Sequence, residues 1–92
     1  MKVIHVLAGN LNQYRFLVRH ELPQDTIDHV SQTCAVMENG DHLRYISSEL
    51  DLLGLYRPIY FSRYGTWHQR EDAPQILQLF HLMEAAEVNL LT

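Results

Sequence analysis

Cysteine occurs once in these 92 residues, at Cys34, so an internal disulfide is excluded and a zinc site would have to be built mainly from histidine and carboxylate. Positive charge is also scarce. Seven Lys and Arg stand against eleven Asp and Glu, for a formal charge of −4, and the basic stripe of a duplex-binding module is missing, so duplex nucleic acid is not the expected partner. No apolar run approaches the roughly 20 residues of a membrane span. Met1-Lys2-Val3 leads directly into a strand-like segment with no signal-peptide hydrophobic region, so a cytoplasmic chain without membrane contact is expected. The four glycines form no phosphate-cradling pattern, and no Gly-x-Ser-x-Gly elbow surrounds Ser47 or Ser48. Repeats, low-complexity stretches and linkers are absent too, which leaves a single α/β domain over residues 1–92. At this size folding buries only about 60% of the unfolded surface, so the core is thin.

What is present reads as alternating elements. Val3-Ile4-His5-Val6-Leu7-Ala8 is a β-branched run ended by Gly9-Asn10, a buried strand and a turn. Asn10 and Gln13 have the spacing of a helix N-cap and a returning amide, opening a helix from Leu11 to about Leu22. Leu11, Tyr14, Val18 and Leu22 share its inner face and Phe16 points away, and Pro23 stops it. Residues 24–42 fit two patterns. One is an irregular or helical excursion before a strand at 43–46, which is the reading preferred here. The other is a hairpin turning at Asn39-Gly40. Ser47-Ser48-Glu49 then starts a short helical turn that Gly54 ends, and Pro58 opens a third strand, Ile59–Tyr64. Asp72 and Pro74 begin a last helix that runs to about Asn89, with Ile76, Leu79, Phe80 and Met83 inward and Leu77 and Val88 on another side. The order predicts a minimal, Rossmann-like fold: a three-stranded, mainly parallel sheet, order 2-1-3, flanked by helices.

In such a sheet ligands bind beyond the carboxyl ends of the strands. The loops expected there carry Asn10 and Asn12, then Ser48, then Gly65, Thr66, Trp67, His68 and Arg70. Gly65 permits a positive φ, Trp67 offers a flat face, His68 a proton carrier and Arg70 a planar donor. These residues form the candidate ligand or partner loop, and a nucleotide or small anion is the alternative ligand. No acid and base stand at a catalytic spacing, so catalytic residues and cofactors are not expected. Six histidines raise a metal question, but none shows zincin or finger spacing and no metal site is expected. Cys34 lies among apolar neighbours, as an inert thiol does. Six of the seven cations are arginines interleaved with tyrosines and Trp67, the residue types of protein interfaces. Phe16, Leu77 and Val88 are surplus to the expected core and are the candidate interface. The favoured function is therefore a non-enzymatic protein-interaction module that self-associates through its C-terminal helix.

Leu7-Ala8-Gly9-Asn10 with Gln13-Tyr14, Arg44-Tyr45-Ile46-Ser47, Leu52-Leu53-Gly54-Leu55, and Tyr64-Gly65-Thr66-Trp67 with Arg70 and Asp72 resemble a pattern in small uncharacterised α/β proteins of tailed bacteriophages. The resemblance spans most of the chain outside residues 24–42. It implies a phage accessory protein working in the host cytoplasm, and it implies no catalytic residue.

Overall fold

The computed structural model describes residues 1–91. Its framework is one six-stranded sheet, with strand order β2-β3-β4-β1-β5-β6. The strands are β1 (Val3–Ala8), β2 (Ile27–Val30), β3 (Cys34–Met37), β4 (His42–Tyr45), β5 (Tyr60–Tyr64) and β6 (Ala86–Glu87). Two helices accompany it, α1 (Leu11–Phe16), which continues as a wider π turn over Leu17–Glu21, and α2 (Ala73–Leu82). β1 pairs in parallel with β4 on one side and β5 on the other, and β5 pairs in parallel with β6. The β2–β3 and β3–β4 pairs are antiparallel.

The expected three-stranded sheet is thus overturned by a mixed one twice as wide. Three strands lie where the sequence reading had none or had helix. Residues 27–37 form two strands, and Asn39-Gly40 closes the β3–β4 hairpin, with Gly40 at φ +91 and its N–H donating to Met37 O. The hairpin reading of residues 24–42 therefore replaces the helical excursion. The apolar spacing of Ile27, Val30, Cys34 and Met37 imitates a helix because two short strands with a turn between them place apolar residues at similar intervals.

The last helix is also shorter than its apolar pattern. It ends at Leu82, and Glu84 takes a left-handed conformation at φ 55. Glu84 N–H donates to His81 O and Ala85 N–H to Phe80 O, the paired bonds of a Schellman stop. No glycine marks the position, so the sequence pattern runs past it. The chain then returns as β6, and Val88 follows a strand instead of riding on the helix.

β1 is buried on both faces, which explains its continuous apolar run. Ile4, Val6 and Ala8 pack with Tyr14, Leu17, Val18 and Leu22 from the α1 side and with Ala35 and Leu43. Leu7 packs on the opposite face with Ile46, Leu52, Ile59, Phe61, Ile76 and Phe80. There Phe61 and Phe80 stack at 4.3 Å and 9° between planes, which binds α2 to the sheet. The edge strands are blunted: β2 has four residues and a register irregularity between Ile27 and His29, and β6 has two residues. Short and irregular edges discourage pairing with other chains. Among the described residues no helix is long and apolar enough to cross a membrane.

Candidate functional site

The loops leaving β1, β4 and β5 do meet at the carboxyl ends of the strands, and two side chains join them. Arg70 is the first. Residues Trp67–Gln69 form a 3-10 turn, after which extended backbone at Arg70 carries its side chain back under the strand ends, only 9% exposed. Its Nη1 donates to Ala8 O at 3.1 Å and Ile46 O at 2.7 Å, and Nη2 donates to Ser47 O at 3.2 Å. Nε and Nη2 also donate to the two carboxylate oxygens of Asp72, each at 2.9 Å. A guanidinium has five N–H donors, and these contacts engage all of them. Its carbon lies 5.8 Å from the Tyr45 ring centroid, a further cation–π contact. The hydrogen bonds from Arg70 hold the Asp72 carboxyl below the usual carboxylate range. Asp72 stands at the N-cap position of α2 but makes no side-chain cap bond, so its sequence-derived role as a cap is corrected to that of an arginine partner.

Gln13 is the second junction. Its Oε1 accepts from Gly9 N–H at 3.0 Å and Thr66 N–H at 2.9 Å, and its Nε2 donates to Thr66 Oγ1 at 2.8 Å. Gly9 and Gly65 make room for this amide. A Cβ on Gly65 would stand 2.2 Å from Gln13 Oε1, and one on Gly9 2.4 Å from the same atom. Asn10 Oδ1 accepts from Gln13 N–H as the expected cap, but the glutamine side chain reaches Gly9 and Thr66 instead of closing the box.

The remaining site residues follow local roles. Ser48 Oγ accepts from Leu50 N–H and Asp51 closes a capping box over the Glu49–Leu52 turn. Burial pushes the Asp51 carboxyl up, but hydrogen bonds from the Ser47 hydroxyl and the Ser47 and Ser48 backbone, with the charge of Arg44, leave it below its ordinary value. Trp67 packs against the α2-side core, and the Arg63 guanidinium sits 4.9 Å from its ring centroid. Arg63 is meanwhile bidentate to Glu87 at 2.7 Å. His68 is exposed, edge-on to Trp67, and Asn12 is exposed on α1. The structure therefore gathers Thr66 around Gln13, with Gly65 packed beside that amide, and places Arg70 in a second set of bonds, while Asn12 and His68 lie outside both.

The three interface candidates do not share a surface. Phe16 is 50% exposed on α1 and lies tilted against His20, with ring centroids 5.0 Å apart. Leu77 packs against the α2-side core, and Val88 against the α1-side core.

A second grouping went unnoticed in the sequence reading. His5, in the middle of β1, is 4% exposed and sits on the floor of a cleft of about 300 Å³ lined also by Lys2, Arg44, Leu55, Pro58, Ile59 and Tyr60. Among the described residues its imidazole makes no hydrogen bond to the protein. Burial, followed by the positive charge of Arg44 and opposed by Asp51, pushes its pKa below 6.5, so the ring is neutral at physiological pH. A single polar residue inside an otherwise apolar strand was the available signal.

That neutral state makes folding pH-dependent. The unfolded chain binds a proton on His5 at higher pH than the folded chain does, so stability is full above about pH 6.5 and falls as pH drops through the folded value. Urea unfolding at about pH 7.5 and about pH 5.5 measures this. His5→Leu should reduce the loss between the two pH values, and an unchanged loss would contradict the assignment.

Among the described residues no three His, Cys, Asp or Glu side chains are arranged as metal ligands. In comparisons with known proteins the chain matches no family model, and no curated protein or solved structure matches it significantly.

Proposed function

We propose that the chain is a small non-enzymatic interaction module that pairs with a second copy through the outer surface of α2. The observation that carries this reading is the composition of that helix. Ala73–Leu82 contains no Asp, Glu, Lys or Arg, in a chain of net charge −4. Its outward residues are Pro74, Gln75, Gln78, His81 and Leu82, all exposed, with Leu82 at 65%. A two-fold contact sets a surface against itself, so an uncharged face escapes the like-charge repulsion that a charged one would meet. Loss of charge with retained apolar area is also the composition of interface centres. The neighbouring Glu49–Leu52 turn and its flank add Leu50 at 69% and Leu53 at 66% exposure and set one acid, the exposed Glu49, at the edge of the helix face beside Gln75 and Gln78.

The alternative ligand, a nucleotide or small anion at the strand ends, is disfavoured because Arg70 has no donor left for it. The phage resemblance fits the interaction reading as an accessory protein that acts on a host or phage protein in the host cytoplasm.

Light scattering on a size-exclusion column tests the pairing. The expected mass is twice the 10.8 kDa of the chain. Gln78→Glu changes an exposed helix position and should weaken the dimer by about tenfold or more by facing like charges across the axis, with unfolding of the monomer unchanged. A wild-type chain that remains monomeric at millimolar concentration would sink the pairing. A melting temperature raised by ATP or inorganic phosphate would favour the anion reading instead.

A further inference from the structure

We propose that the cleft over His5 binds a small organic carboxylate: an apolar body against Leu55, Pro58 and Ile59, with its charged end held by Arg44 and facing the His5 imidazole. The cleft lies away from the strand-end network, and its chemistry differs from that network in one decisive respect. Arg70 is saturated, whereas Arg44 is exposed and its side chain makes no hydrogen bond or salt bridge among the described residues. Asp51, an acid that feels its charge, has its Oδ2 committed to Ser47 and Ser48. No ion pair between Asp51 and Arg44 forms among the described residues.

A second cation borders the cleft. Lys2 Nζ lies 5.2 Å from the centroid of the Tyr60 ring, another lining residue. Lys2 and Arg44 make a local positive rim on a chain that is acidic overall, and a guanidinium with free donors is matched by the two oxygens of a carboxylate. The floor supplies His5. Its ring makes no hydrogen bond within the protein among the described residues and its nitrogens are not sealed from solvent, so its N–H is available to an oxygen of the ligand. The volume, about 300 Å³, is at the small end of ligand clefts, which admits a metabolite-sized molecule. The remaining walls are aliphatic and aromatic, which excludes an ion with no apolar part as the best occupant.

Benzoate is the probe, benzamide its uncharged counterpart and inorganic phosphate its counterpart without an apolar body. Proton–nitrogen NMR of the intact chain follows the His5 ring nitrogens and the Arg44 Nε–H during titration. Millimolar benzoate should move both sets of signals saturably, with benzamide and phosphate at least about tenfold weaker. Arg44→Gln, at an exposed position, should weaken benzoate by about tenfold or more while leaving unfolding by urea unchanged. His5→Gln, which keeps an N–H donor in the floor, should retain part of the binding.

No saturable movement of the His5 signals would overturn the proposal, as would equal affinity for benzamide. Phosphate binding as tightly as benzoate would overturn the role of the apolar wall. These outcomes are independent of the oligomeric state, so the cleft and the α2 surface can fail separately.

Discussion

Replacing Arg70 by alanine is expected to lower the unfolding free energy by about 3 kcal/mol, among the largest effects of any charged side chain in the molecule. The substitution removes five bonds at once and leaves the carbonyls of Ala8, Ile46 and Ser47 without their donor and the Asp72 carboxylate without its partner. Each unsatisfied buried group costs about 1–3 kcal/mol, but water can reach some of them here, because Ser47 is exposed and Asp72 is 34% exposed, so the sum is discounted. A domain of this size has only about 5–14 kcal/mol in total, and each kcal/mol shifts Tm by about 4–8 °C. Arg70→Lys retains the charge and loses the planar fork, so it should recover less than half of the deficit. Arg57→Ala provides the contrast. Its pair with Glu84 is exposed on both sides, at 63% and 71%, and should contribute less than about 1 kcal/mol. Urea unfolding of the three variants measures this ordering, and an Arg70→Ala loss no larger than that of Arg57→Ala would refute the saturated network.

Gly65→Ala is expected to cost about 3 kcal/mol, from two separable sources. At φ +63 an alanine pays the left-handed penalty of about 1–2 kcal/mol. The new methyl also displaces the Gln13 amide, whose three bonds to Gly9 and Thr66 then break. Gly54→Ala isolates the first source, since that residue has φ +80 and no atom within 4 Å of an added Cβ. A double-mutant cycle isolates the second. In a Gln13→Ala background the cost of Gly65→Ala should fall to the Gly54 value. Simple additivity would show that the glutamine does not join the two loops.

The contrast between these residues and the rest explains what the sequence could reveal. β1 was legible because Val3–Ala8 is apolar at every position but His5, and the start of α2 because Pro74 lies in its first turn. The β2–β3–β4 hairpins were not, because strands of four residues carry too little alternation to separate two turns from one helix. β6 was hidden by a glutamate that holds the left-handed position ordinarily taken by glycine. At the strand ends, residue type pointed to polar chemistry, and polar side chains of three loops do meet there. Whether a donor is aimed outward or spent on a carbonyl depends on the backbone of other elements, here residues 8, 46 and 47, which no local pattern around Arg70 encodes. His5 illustrates the reverse, a side chain whose lack of partners becomes visible only once β4 and the Leu55–Ile59 segment are placed around it.

The central position of β1 has a kinetic consequence. This strand is made before both of its neighbours, which come from residues 42–45 and 60–64. During synthesis the β2–β3–β4 hairpins can close locally while β1 has neither edge paired, and the nascent chain displays an apolar strand open to the wrong neighbour until residue 64 is available. The Arg70 and Gln13 bonds join segments 62 and 53 residues apart, so they close last. Arg70→Ala should therefore act mainly by accelerating unfolding, with refolding nearly unchanged.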